Sequence, residues 1–297
     1  MGRYLQPLLQ AGFVGADIVA PHRHELDVTD AGATAAFIEN LQPDACIHLA
    51  GVAAVEAAKQ APEQAWAVNF QGALNMGTAI VTQAPQCRMI FISSAECYGA
   101  SFKAGAALDE AAPLAPLNLY AATKAAAEMA LGAMTSDGLR LLRLRPFNHT
   151  GPGQSEAFVV PAFAGQIARI EAGLITPQIA VGALSPERDF LDVRDVCAAY
   201  VLALRKFDYL PNNSVFNIAS GLGVRIGDVL ETLLEQARCP IDVVTDPARL
   251  RGVEIACAVG DARLARQALG WAPQYELGAT LRGVLEAARR KIHGASS

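Results

Sequence analysis

Tyr120-Ala121-Ala122-Thr123-Lys124, together with Ser94 at the end of an earlier apolar string, are the residues of this chain best suited to chemistry. On a helix, a spacing of four positions puts Tyr120 and Lys124 on one face. A free tyrosine titrates near about 10. A neighbouring ammonium favours the phenolate and brings its proton exchange towards neutral pH. Ser94 can hydrogen-bond a substrate oxygen while Tyr120 exchanges the proton. Each signal alone also has a plain structural reading. Any exposed helix can carry a Tyr/Lys pair, and a serine after a strand can simply cap the next turn. The order of the surrounding elements separates the two readings.

Apolar strings alternate with helical stretches. Residues 1–10 read as a short helix, Val14 to Ala20 as a strand, and 29–41 as a helix capped by Thr29 or Asp30. A short strand follows at Ala45 to Gly51, then a long helical region at 53–82 with a boundary near Pro62. Arg88 to Ser94 is a buried strand, Tyr120 opens a helix to about Met134, and Leu139 to Leu144 is the next strand. Strand, helix and strand at these intervals indicate βα units and a parallel sheet. In such sheets ligands bind beyond the carboxyl ends of the strands, where Gly51, Ser94 and Asn148 fall. After Gly153 the pattern loosens into helical stretches near 157–172, 193–206, 226–238 and 276–292. The expected fold is therefore α/β and Rossmann-like. Residues 1–153 form mainly the dinucleotide-binding domain, and 154–297 mainly a smaller substrate-binding lobe with segments that return to the main sheet.

Composition narrows the partners. Of the 297 residues, 52% are hydrophobic and 18% charged, and the formal net charge is −5. No basic track offers itself to nucleic acid, although a few placed arginines could still hold an anionic substrate. The six cysteines show no CxxC spacing and mostly lie in apolar strings, so they read as core residues rather than metal ligands or redox centres. No signal peptide opens the chain and no apolar run reaches membrane-spanning length, which suggests a cytoplasmic protein.

Longer motifs add a family. His48-Leu49-Ala50-Gly51, Val68-Asn69, Ser93-Ser94-Ala95-Glu96-Cys97-Tyr98-Gly99, the Tyr120/Lys124 pair, the run Arg145 to Gln154 (RPFNHTGPGQ), Arg188 to Asp195 (RDFLDVRD) and Gly270-Trp271-Ala272-Pro273 resemble the extended short-chain dehydrogenases/reductases that modify nucleotide sugars. The resemblance spans nearly the whole chain. It is strongest to the branch that reduces the 4-keto group of GDP-4-keto-6-deoxy-D-mannose to give GDP-D-rhamnose, through the FNHTGPGQ run and the following Phe158-Val159-Val160-Pro161. It implies hydride from NAD(P)H and a proton from Tyr120. Ser94 would orient the sugar oxygen, and Lys124 would support Tyr120 and the nicotinamide ribose. Related dehydratases carry an Asp-Glu pair after the catalytic hydroxyl, because removing a C5 proton and expelling a C6 hydroxyl needs a base and an acid. Here Ala95 precedes Glu96, which argues against dehydration. Glu96 then tunes the pocket or holds a substrate hydroxyl, or is merely solvated. A 4-epimerase of nucleotide sugars uses similar residues and stays open, as does a noncatalytic nucleotide-binding relative.

The resemblance also implies the binding residues. Gly2, Arg23, Asp27, Val28, Leu49, Ala50, Gly51, Asn69, Ser93 and Pro146 would contact the cofactor with Tyr120 and Lys124. Asn148, Arg188 and Arg251 would join Ser94 and Glu96 at the substrate. Asp27 has a second reading as a helix cap, and His149 packs beneath its loop or touches sugar. Arg23, in His22-Arg23-His24, suits a 2′-phosphate and favours NADP(H), with NAD(H) possible. The substrate partner would be a nucleotide-diphosphate sugar, GDP-linked by preference, and a homodimer suits the family. No metal site is expected. Members of the family open with a strand and a Gly-rich turn, whereas here Gly2-Arg3-Tyr4-Leu5 resembles the last glycine and helix start of that unit. The sheet is therefore expected without its first strand, through a start codon set downstream or a shortened gene.

Overall fold

The computed structural model describes residues 1–250 and 255–294, so Arg251 lies outside the described residues. The main sheet has four parallel strands in spatial order Ala45–His48, Arg88–Ile92, Arg140–Pro146 and Ser214–Ile218. Cys46 stands opposite Met89, Ile90 opposite Leu142, and Leu144 opposite Phe216. The residues at the centre of these strands are mostly apolar because both faces are covered, although Arg140–Pro146 also carries Arg143 and Arg145. Ile90, Ile92, Leu142 and Leu144 join a core with Leu5 and Leu9 of the helix Gly2–Gly12 and Val196 and Tyr200 of the helix Val193–Arg205. Met89, Phe91 and Leu141 face the other way, against Ile38 of Ala31–Leu41, Met76 and Ile80 of Gly72–Gln83, and Leu131 of Leu119–Ala133. This is the strand's alternation of faces. Full burial of each such side chain contributes roughly 1.5–3 kcal/mol.

A third core belongs to later residues. Phe163 and Ile167 of the helix Val159–Glu171 meet Val229 and Leu230 of Ile226–Leu234 and Leu281 and Leu285 of Leu277–Gly294. Two small sheets accompany it. Glu187–Asp192 lies between Asn148–Thr150 and Cys257–Ala258, with Gly223–Arg225 antiparallel to it, and Gln178–Val181 pairs Asp242–Thr245.

The strand expected at Val14 to Ala20 does not form. Gly15 (φ +83°) turns the chain out of the first helix, and no backbone–backbone hydrogen bond among the described residues involves Asp17 to Pro21. Among the described residues Ala45–His48 pairs only with Arg88–Phe91, which leaves its outer edge without a ladder. A cavity of about 1110 Å³ separates that edge from residues 16–21. A strand needs a ladder on at least one side, and neither backbone reaches the other across the gap. Val14 and Val19 are consequently 94% and 52% exposed.

Candidate active site

The helix that carries Tyr120 and Lys124 is fixed at its start by Asn118, a residue type suited to capping. Its Oδ1 accepts from the Ala121 amide at 2.9 Å, while its Nδ2 donates to Glu96 Oε2 at 3.2 Å. One side chain thus sets both the helix that begins at Leu119 and the acid of the facing loop. Tyr120 sits in the first turn and Lys124 one turn on, both directed to the carboxyl end of the sheet. Ser94 lies two residues beyond the strand Arg88–Ile92 and caps the short helix Ala95–Ala104, accepting from the Glu96 amide at 3.2 Å. Ser94 therefore caps, and it also acts on the Tyr120 phenol, favouring its ionised form. Gly99 (φ +47°) keeps the loop tight, since a β-carbon there would lie 1.9 Å from the Ala115 carbonyl oxygen.

Burial pushes the Tyr120 phenol well above its ordinary value, and Ser94 opposes that shift. Lys124 is not among the groups that move the phenol in the unliganded fold. Besides Ser94, the groups that move the phenol are Cys97 and Glu96, which raise it further. The Lys124 ammonium stands 4.6 Å from the centroid of the Phe91 ring instead. Burial lowers its pKa to about 8, against the holding effects of Cys97 and Glu128. A β-carbon at Gly51 would lie 3.9 Å from Lys124 Nζ and 3.1 Å from Asn69 Oδ1, so glycine keeps the approach to the lysine open.

Asn69 lies on a single π-turn, Ala67–Gln71, spliced into the helix before Gly72. Its Oδ1 accepts from the Val52 amide at 2.7 Å, and its Nδ2 donates to the Val52 carbonyl and to Thr123 Oγ1 at 3.0 Å. Asn69 therefore clamps the loop after Gly51 to the residue beside Lys124, and at 1% exposure it supports the cleft rather than lining it. Ser93 likewise turns inward, its hydroxyl donating to Glu128. Pro146 is buried where the third strand pairs with Ile218.

The other proposed cofactor residues share one space. Gly2, Arg23, Asp27, Val28, Leu49, Ala50 and Gly51 all line the 1110 Å³ cavity. Asp27 does not cap the following helix; Asp30 does, accepting from the Ala33 amide at 2.9 Å. Asp27 instead accepts from the Thr29 amide and hydroxyl, which hold its carboxyl below the usual range. Arg23 stands 3.6 Å from Asp27 with its side chain 69% exposed. On the substrate side, Asn148 is exposed at the strand end, and His149 Nδ1 lies 2.9 Å from the Phe147 carbonyl, packed beneath the loop. Arg188 is half-buried, its Nη1 donating to the carbonyls of Glu187 and Ile255; burial lowers its pKa and the Glu96 charge opposes that shift. Behind it the buried Asp189 accepts from the Ser220 amide and hydroxyl and from the Gly221 and Gly260 amides, which ties the strand that carries Arg188 to the turn at Ser220–Gly221. Asn118, Thr123 and Asp189 were not singled out from the sequence. Only Asn118 carries a local signal, a capping residue just before a helix.

A parallel dinucleotide-type sheet whose carboxyl end gathers Ser94, Tyr120 and Lys124 defines an enzyme of the extended short-chain dehydrogenase/reductase type. The family model described as GDP-mannose 4,6 dehydratase matches residues 17–284, and the chain belongs to that family. The chain is 35% identical over 287 residues to GDP-6-deoxy-D-mannose reductase of Pseudomonas aeruginosa, covering 96% of this chain and 92% of that protein. The solved structure of RMD from Pseudomonas aeruginosa complexed with NADPH superposes with a TM-score of 0.85 at 32% identity, over 97% of this chain and 96% of that one. A UDP-glucose 4-epimerase of Streptomyces lividans is 29% identical over 255 residues, 80% of this chain and 73% of that protein.

Proposed function

We infer that this enzyme reduces the 4-keto group of a nucleotide-linked 6-deoxyhexose with NAD(P)H, converting GDP-4-keto-6-deoxy-D-mannose to GDP-D-rhamnose. The observation that carries this reading is the meeting of Ser94, Tyr120 and Lys124 beside an open Gly51, with Ala95 where dehydration would need a second acid. Similarity to a GDP-6-deoxy-D-mannose reductase supports the choice of sugar.

The residues fit a nicotinamide dinucleotide at its two ends. Lys124 is a buried ammonium whose Nζ makes no hydrogen bond among the described residues and lies beneath the glycine opening, where ribose hydroxyls can take its protons. Asp27 and Val28 lie at the far end of the same cavity, where adenosine would bind. When bound, the cofactor supplies the hydride. Tyr120 holds the proton for the C4 oxygen at its phenol, and its raised pKa keeps that proton in place until charge develops on the substrate. Ser94 donates to the same oxygen and fixes its direction. Glu96, steadied by Asn118, accepts from a sugar hydroxyl, while Arg188 and Asn148, with Arg251, meet the diphosphate. Arg23 would exchange Asp27 for a 2′-phosphate, which favours NADP(H). A homodimer belongs to the same reading, with Trp66 and Met129 exposing apolar surface on the helices Pro62–Trp66 and Leu119–Ala133.

The assay is NADPH oxidation followed by absorbance with GDP-4-keto-6-deoxy-D-mannose, with the product identified. Absence of oxidation sinks the assignment. The similarity to a UDP-glucose 4-epimerase sustains a second reading. Retained NAD⁺ and reversible inversion at C4 without net nicotinamide consumption would favour it.

A further inference from the structure

Behind the catalytic helix lies a buried ionic cluster that the reaction as described does not use. Glu128 is 0% exposed and lies four residues beyond Lys124 and eight beyond Tyr120, on the same helical face. Arg145 Nη2 donates to its Oε1 at 2.5 Å, and Arg145 Nε reaches both oxygens at 3.0 and 3.2 Å. Arg143 stands 3.6 Å away. The remaining bond to the carboxylate comes from the hydroxyl of Ser93, the neighbour of Ser94. Arg145 is itself held, donating to Tyr98 Oη at 2.8 Å, and Tyr98 donates to Asn217 Oδ1 at 2.7 Å.

A buried ion pair is weak evidence for stability, since desolvation offsets most of its attraction. Its placement here suggests a different use. Ser93 is the last residue before the catalytic serine, and its amide is already fixed to the Leu144 carbonyl at 2.8 Å. The hydroxyl bond to Glu128 adds a second, side-chain anchor to the strand end. We propose that Glu128 is a positioning residue for the reaction: it holds Ser93, and through it the strand end that presents Ser94, while its negative charge serves Lys124 one turn away. This rests on the assignment of Ser94 and Lys124 made above.

The groups around Lys124 agree with that role. From the strand Ala45–His48 comes His48, which burial keeps neutral; from Arg88–Ile92, the ring of Phe91; from Ala95–Ala104, Cys97, whose thiol burial pushes up to about 11. Glu128 on its own helix is thus the carboxylate among the charged groups that act on the ammonium. Arg143 and Arg145 compensate Glu128 from the neighbouring strand. With the carboxylate neutralised, three cations would share one buried region, and Lys124 is the one able to release a proton.

The test compares Glu128→Gln, Glu128→Asp and Ser93→Ala by two readouts. The Lys124 titration is followed through its ¹³Cε resonance without substrate or cofactor, assigned with Lys124→Arg, and kcat and KM are measured against pH. Glu128→Gln should lower the Lys124 midpoint by about one pH unit and move the alkaline limb of kcat with it. Glu128→Asp should restore the midpoint. Ser93→Ala should leave the midpoint unmoved yet lower kcat by about ten- to a hundredfold, with KM for the sugar nearly unchanged. A folded Glu128→Gln with an unshifted midpoint and normal kcat would overturn the proposal. If Glu128→Gln does not fold, a Ser93→Ala enzyme of normal kcat overturns it equally. Because the titration needs no substrate, a wild type that reduces no sugar would refute the functional reading and leave this test standing.

Discussion

His48 ends the first strand of the sheet three residues before Gly51, 3% exposed, its ring stacked 6.1 Å from Phe91. Its Nε2 has no partner among the described residues. Burial, reinforced by the nearby Lys124 charge, lowers its pKa from 6.5 to about 3. A histidine held neutral in the fold contributes fully above its unfolded pKa. Stability then declines as pH falls from 6.5 towards 3, because the unfolded chain takes up the proton first. At about 1.4 kcal/mol per unit, acidification from pH 6.5 to 5 removes about 2 kcal/mol through this one residue. His48→Leu removes that dependence and relieves a buried, unpartnered nitrogen, itself a cost of about 1–3 kcal/mol. Urea unfolding of both proteins at pH 7, 6 and 5 measures the difference. The variant should be at least as stable at pH 7, and its stability should fall by about 2 kcal/mol less between pH 7 and 5. Equal pH slopes in the two proteins would refute the claim that His48 is buried and neutral.

Further outcomes follow from the site. Tyr120→Phe should lower kcat by about 10²- to 10⁴-fold with little change in sugar KM, read by NADPH absorbance. Wild-type kcat should decline as pH rises through about 8, where Lys124 loses its proton, and Lys124→Met should lose activity at every pH. Arg23→Ala should raise KM for NADPH more than for NADH, a selectivity lost only if the guanidinium meets the 2′-phosphate. Asn69→Ala leaves the Val52 amide and Thr123 hydroxyl without their partner, and should destabilise the fold by about 1–3 kcal/mol in thermal or urea unfolding.

Where local pattern and tertiary packing agree, the sequence was readable. The apolar strands at 88–92 and 140–146 and the helix from 119, capped by Asn118, form near their expected limits. The segment 14–20 is as apolar as a strand but finds no ladder, because pairing is decided by neighbours and not by composition. The pair Tyr120/Lys124 was legible from spacing. That Lys124 turns to Phe91 and Gly51 rather than to the phenol was not, since spacing fixes a face and leaves the rotamer to packing. Asn69 and Ser93 were placed beside the cofactor by motif; their bonds to Val52, Thr123 and Glu128 were not legible, since only the fold brings those partners together. Glu128 itself lies in an alanine-rich helix with nothing beside it in sequence to mark its partners; only the fold brings Arg145 to it.

The most direct test of the central claim is hydride transfer itself. The enzyme is given 4-deuterated NADPH and GDP-4-keto-6-deoxy-D-mannose, and the sugar product is read by mass spectrometry and NMR. Reduction through Ser94, Tyr120 and Lys124 predicts one deuteron at C4 of a GDP-6-deoxyhexose for each NADPH consumed, and near-complete loss of that label with Tyr120→Phe. No deuterium at C4, or a C4 configuration inverted without consumption of NADPH, would contradict it.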